Sequence, residues 1–113
     1  MKLQEIAAAL SCRLLTQVDG AAEIDTVVAS DGMSEILAFH TPGAVMLTGL
    51  TNIQSVRTAV VADVHAIVYV RGKQPAEPVL ELAREKCIPV LSTQLGMFES
   101  CGILYVAGLK GAM

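Results

Sequence analysis

Three apolar runs, each closed by a small polar turn and followed by a helix signal, constrain this chain more than any other feature. Ala44–Leu47 leads into Thr48-Gly49-Leu50-Thr51-Asn52. His65–Val70 leads into Arg71-Gly72-Lys73, and Ile88–Leu91 into Ser92-Thr93. Runs of this length and apolarity suit strands covered on both faces. Strand–helix–strand units with short loops pair in parallel through right-handed crossovers. The second half therefore reads β-α-β-α-β-α, and its three polar turns fall at one edge of one sheet. Open α/β sheets bind ligands outside the carboxyl ends of their strands.

The helices carry their own signals. Leu3, Ile6, Ala7 and Leu10 recur at helical spacing, which predicts a short helix over residues 2–10. Residues 13–16 suit a short strand, and Thr26–Ala29 a β-branched one that ends in Ser30-Asp31-Gly32. A short helix over 33–39 follows, with Asp31 or Ser34 available as its cap. Thr51-x-x-Gln54 has capping-box spacing. Ile53, Val56, Val60 and Val64 then mark one buried stripe, with Arg57 off it. Pro75 and Pro78 belong to the first turn of the next helix, where the missing N–H costs nothing. Val79, Leu82, Ala83 and Lys86 set its spacing, with Glu81 and Glu85 outward. A last helix spans 97–107 and stops at Gly108, and residues 108–113 should fray. The fold expected is α/β, a single domain over residues 1–113 of three layers, α/β/α, around a mixed, mostly parallel sheet. The less regular first half could add an antiparallel edge.

Composition narrows the function. At 113 residues and 53% hydrophobic, the chain suits one well-filled domain. Aromatics are only 4%, which fits poorly with a base-stacking platform. The net charge of −3 and scattered basic residues argue against a nucleic-acid footprint. No apolar run approaches the roughly 20 residues that cross a bilayer, and no signal-peptide core is visible. Cys12, Cys87 and Cys101 are widely spaced, without zinc-site pairs. These features predict a cytoplasmic protein with reduced thiols, no metal and no cofactor.

The run Val70-Arg71-Gly72-Lys73-Gln74-Pro75, then Val79-Leu80-Glu81-Leu82-Ala83 and Ile88-Pro89-Val90-Leu91-Ser92-Thr93, resembles the DRTGG domain family. Val28-Ala29-Ser30-Asp31-Gly32-Met33-Ser34 fits the same family. The resemblance implies a three-layer domain related to the N-terminal domain of HPr kinase/phosphorylase. It implies a regulatory or dimer-forming part, of the kind fused to phosphate acetyltransferases and to pyrophosphatases with CBS domains. The eponymous motif is eroded here. Thr51-Asn52-Ile53 stands where an Asp-Arg-Thr-like entry is expected, and Val70-Arg71-Gly72 where Thr-Gly-Gly is expected. Cys87 also stands where a helix-ending glycine with φ > 0 is usual.

Each candidate site residue has a plain alternative. Thr48, Gly49, Thr51 and Asn52 offer hydroxyls, an amide and helix N-terminal N–H groups, which together suit phosphate or carboxylate. The plain reading is a capped helix, since no Gly-Lys-Ser/Thr follows. Arg71 and Lys73 lie just beyond a strand and, with Arg57, could hold an anion by charge-assisted hydrogen bonds. They could equally be solvated charge beside a turn glycine. Ser92 and Thr93 are a hydroxyl pair on the same edge, or the cap of the last helix. Asp31 could hold a ribose or a metal, or form an Asx-turn or cap. His40 and His65 lie in different elements with no obvious catalytic partner. Cys101-Gly102 inside a helix reads as tight packing against a neighbour. The expectation is a non-catalytic regulatory module, homodimeric, that senses a small anionic ligand such as a nucleotide or phosphometabolite. The alternative is a homodimeric interaction or assembly domain with no ligand but a protein partner, and a small enzyme ranks last.

Overall fold

The computed structural model describes residues 1–39 and 41–112. His40 and Met113, named above among the histidines and in the tail, lie outside the described residues. The elements run α1 (Leu3–Ala9), β1 (Arg13–Leu14), β2 (Thr26–Ala29), α2 (Met33–Leu37), β3 (Val45–Thr48) and α3 (Ile53–Val61). They continue β4 (Ala66–Tyr69), α4 (Glu77–Glu85), β5 (Val90–Ser92), α5 (Met97–Val106) and β6 (Lys110–Gly111). One sheet is ordered β1-β5-β4-β3-β2-β6. The β2–β3, β3–β4, β4–β5 and β2–β6 pairs are parallel. Among the strands of the described residues, β1 alone is antiparallel, against β5. The fold is thus α/β with a mixed, mostly parallel sheet.

Period-two alternation divides the core. Val28, Met46, Ile67, Tyr69 and Val90 pack under α2, α3 and α4 with Ile36, Val56, Ala59, Val79 and Ala83. Val45, Leu47, Ala66, Val68 and Leu91 pack under α1 and α5 with Leu3, Ile6, Leu10 and Leu104. Every residue of β3 and β4 is buried, which is why their sequence reads as continuous apolar runs.

Several local expectations need correction. Residues 108–112, expected to fray, carry β6, which extends the sheet beside β2. Asn52, not Thr51, caps α3: its Oδ1 accepts from Ser55 N at 3.1 Å, so the helix starts one residue later than the capping-box spacing implied. Val60 is 41% exposed, and the buried face of α3 is Ser55, Val56, Thr58 and Ala59. The face is rotated because α3 is flanked by both α2 and α4 as well as the sheet. Lys86 is exposed beyond the end of α4. The N-cap of the last helix is Gly96, so neither Ser92 nor Thr93 caps it.

Cys87 does take the left-handed conformation, φ +57, just after α4. A side chain there costs about 1 kcal/mol relative to glycine. Cys87→Gly is therefore expected to raise the melting temperature by a few degrees in scanning calorimetry. A lower melting temperature in the variant would contradict this account of the helix end.

Candidate functional site

The site is built where β2, β3 and β4 end. Asp31 follows β2, Thr48 and Gly49 close β3, and Arg71 follows β4, so three adjacent strands bring them to one edge. The Asp31 carboxylate accepts from Gly49 N at 2.7 Å and from Thr48 Oγ1 at 3.3 Å through Oδ1. Its Oδ2 accepts from Arg71 Nη2 at 3.1 Å. Thr48 Oγ1 also accepts from Leu50 N, which tightens the turn. Asp31 therefore neither caps α2 nor closes an Asx-turn. Ser30 takes the turn role, accepting from Gly32 N at 2.9 Å, and Gly32 stands at the N-cap without side-chain help.

The arginine spans two strand spacings, about 10 Å, to reach Asp31 across the end of β3. Glycine at 49 is what lets it pass. A Cβ on Gly49 would collide with the Arg71 guanidinium. Hydrogen bonding by Gly49 N, then the guanidinium of Arg71 and the Thr48 hydroxyl, hold the Asp31 carboxyl below its ordinary value, against a smaller opposing effect of burial. Both ion-pair partners keep nearly half their side-chain surface, 43% for Arg71 and 46% for Asp31. The contact is thus open to water and to competing anions.

Arg71 has φ +63 and Gly72 φ +67. The turn is held by Arg71 N to Leu95 O at 2.7 Å and Gly72 N to Thr93 O at 2.8 Å. These bonds join the turns after β4 and β5, where the chain parts to opposite faces of the sheet. A Cβ on Gly72 would meet Gln94 Oε1 at 2.6 Å, so that crevice is filled.

The other candidates divide. Asn52 and Thr51 lie at the start of α3 beside the Thr48–Gly49 turn, with Asn52 exposed and serving as the cap. Lys73 is exposed two residues beyond Arg71, and Arg57 is exposed on α3. Neither enters the Asp31 network among the described residues. Ser92 is buried within β5. Thr93 turns inward, donating to Leu10 O at 2.6 Å and accepting from Leu95 N at 3.2 Å. What sequence reasoning missed is the Asp31–Arg71 pair itself. Its only signal was opposite charge on two turns at the same edge, with a glycine between them.

A depression of about 910 Å³ lies at the opposite edge, lined by Asp19, Asp63, His65, Arg84, Lys86 and Cys87 among others. The carboxyl ends of α3 and α4 face it, and their dipoles disfavour an anion there. Its acids and bases balance, and Arg84 is already paired with Glu77 at 2.7 Å. Among the described residues no group of three or more His, Cys, Asp or Glu gathers around a metal-sized site. No helix of the described residues is long and apolar enough to cross a membrane. Burial pushes the Cys12 thiol up to about 11 and raises that of Cys101, which makes both poor nucleophiles.

The strand carboxyl ends of this three-layer α/β/α domain carry an ion-paired polar turn. The DRTGG domain family matches residues 5–105, and the chain belongs to that family. A similar solved structure is that of the CBS and DRTGG domains of the regulatory region of Clostridium perfringens pyrophosphatase, complexed with its activator, diadenosine tetraphosphate. The two share 19% identity with a TM-score of 0.75, over 91% of this chain and 45% of that one. The chain thus spans less than half the length of the solved chain it resembles. No curated protein sequence matches it.

Proposed function

We propose that this chain is a non-catalytic regulatory module that binds a small anionic ligand, a nucleotide or phosphometabolite, at the carboxyl edge of β2, β3 and β4. The observation that carries the reading is Arg71. Arg71 holds φ +63, a conformation that costs a side chain about 1 kcal/mol relative to glycine. Its side chain is aimed across the edge and half open to solvent. A guanidinium is the group best suited to bidentate phosphate. In this reading Lys73 and Arg57 add charge around it. Thr48, Gly49, Thr51 and Asn52 supply the turn and the helix N-terminus. The family supports a regulatory role, and the Clostridium perfringens region binds a dinucleotide activator. Asp31 and Thr48 are committed to internal bonds, which leaves this edge without a free acid–base pair among the described residues.

The test is a thermal-shift panel of nucleotides, dinucleoside polyphosphates and phosphometabolites. A saturable rise is expected, worth about 2.7 kcal/mol at a hundredfold excess over Kd. Arg71→Ala and Lys73→Ala should each flatten it. No response across the panel would overturn the reading and leave the interaction domain.

A further inference from the structure

The chain has four aromatic residues, and only Tyr69 lies in the core. Two of the others sit on α5, with Phe98 90% exposed and Tyr105 77% exposed. Phe98, Gly102 and Tyr105 recur at i, i+4 and i+7, which is one face of the helix. All three line a groove of about 450 Å³ whose other walls include Val27 and Ala29 of β2 and the β6 strand. Small-molecule sites run to roughly 300–1,000 Å³, mostly apolar with a few polar groups. Three helices, α2, α3 and α4, cover one face of the sheet, whereas α1 and α5 cover the other and leave Val27 and Ala29 half-buried.

Two features define what the groove can hold. The first is its floor. The tight packing expected of Gly102 against a neighbouring element is absent, since a Cβ built there meets nothing within 4 Å. Gly102 is instead a bare step with an exposed aromatic before and after it. Phe98 and Tyr105 lie about 10 Å apart along the helix axis, wide enough for one flat ring between their side chains. The second feature is where the groove leads. Ala29 lines it and is two residues of chain, about 7 Å, from Asp31, whose carboxylate holds Arg71. Phe98 lies three residues after Leu95, whose carbonyl accepts from Arg71 N at 2.7 Å. The mouth between Ala29 and Phe98 therefore opens beside Arg71. Among the described residues Lys110 is the one charge on the groove walls and no carboxylate lines them, so an anionic ligand meets no repulsion there.

We infer, on the reading of the Arg71 edge as an anion site, that this groove seats the planar heterocyclic base of a nucleotide, over Gly102 and between Phe98 and Tyr105, while Arg71 holds its phosphates. The ligand class of that edge narrows from any phosphometabolite to one that carries an aromatic ring. A purine or pyrimidine stacks on an aromatic side chain through its π-face, whatever its substituents. A phosphosugar or phosphocarboxylate has no such face and leaves both aromatics in water. Aromatics at 4% of the chain are too few for a nucleic-acid platform, yet one pair suffices for one base. Lys110 pairs with Thr26 at the amino end of β2, which places its ammonium at the far end of the groove, where it can donate to the ring's carbonyl or nitrogen acceptors.

Isothermal titration of the chain with ATP, GTP, CTP and UTP, beside inorganic tripolyphosphate, tests the base seat. At least one nucleoside triphosphate should bind about tenfold or more tighter than tripolyphosphate, the gain typical of a stacked base. Phe98→Ala and Gly102→Gln should each bring that nucleotide down to about the tripolyphosphate affinity and leave tripolyphosphate itself unchanged. Arg71→Ala should weaken both. Phe98 and Gly102 are exposed in the single chain, so circular dichroism should remain native. Gly102→Gln, which favours the helix, keeps the test valid if Phe98→Ala misfolds. A wild type that binds tripolyphosphate as tightly as every nucleotide overturns the base seat and leaves the Arg71 edge an anion site. Folded groove variants with wild-type nucleotide affinity overturn it too, whatever else covers the groove, a second copy included. No binding of nucleotide or tripolyphosphate overturns the reading of the Arg71 edge itself, and the base seat with it.

Discussion

Asp31→Asn is expected to lower stability and tighten anion binding at once. The amide keeps one acceptor oxygen for Gly49 N but loses the charge that holds Arg71 across the end of β3. The stability loss is about 1–2 kcal/mol, most of it from weakened hydrogen bonding, because the ion pair is nearly half exposed and contributes little. That loss lowers the melting temperature by several degrees. The pH dependence follows from the same carboxylate. Its pKa is depressed below the ordinary value of 3.8, chiefly by the Gly49 amide. A depressed carboxylate contributes its full stability above that ordinary value and loses it as pH falls through the folded value. The wild type should therefore lose stability below about pH 4, and the variant should show a flatter acid limb in that window. Binding should move the other way. An anion no longer has to displace a carboxylate from Arg71, and an exposed ion pair of 0.2–1 kcal/mol converts to about 1.4- to fivefold. Isothermal titration beside scanning calorimetry reads both effects. If affinity falls together with stability, Asp31 is a ligand contact and not a competitor.

The reason this pair was hard to read in advance is general to the molecule. Elements written in local rules were legible. The buried runs of β3 and β4, the prolines in the first turn of α4, Gly108 after α5 and the strained Cys87 all follow from chain-local sterics and period. The edge holding the polar turns followed from parallel connection alone. Partners chosen in three dimensions were not legible. Asp31 and Arg71 are 40 positions apart and meet only because β3 lies between their strands. Thr51 and Asn52 are both good caps, and the choice between them depends on where α3 settles against its neighbours. Lys110 and Gly111 have poor strand propensity, and β6 forms because β2 offers an open edge. The depression between the helix carboxyl ends carries no motif, since loops from four separate regions assemble it.

Thr93 shows the same limit most sharply, and its replacement has the largest expected effect on stability. A hydroxyl just after a strand at the carboxyl edge of the sheet reads as a binding group. Antiparallel β1 lies against β5, and α1 precedes it in the chain, so the end of α1 sits beside the β5 turn. Thr93 Oγ1 therefore meets the carbonyl of Leu10, the C-terminal cap position of α1, at 2.6 Å. The same oxygen receives Leu95 N, which orders the turn into α5. Thr93 and Leu10 are both buried, so water cannot replace the hydroxyl at the helix end. Thr93→Val keeps the shape and removes both bonds. At about 1–3 kcal/mol for each buried group left unmade, the variant should lose about 2–4 kcal/mol in urea unfolding. That is a large share of a typical small-domain stability of about 5–15 kcal/mol. Thr93→Ser keeps the hydroxyl and should stay within about 1 kcal/mol of the wild type. The hydroxyl's work is then to dock α1 onto the sheet and fix the entry to α5. A Thr93→Val variant of native stability that had lost a ligand response would return the residue to the binding edge.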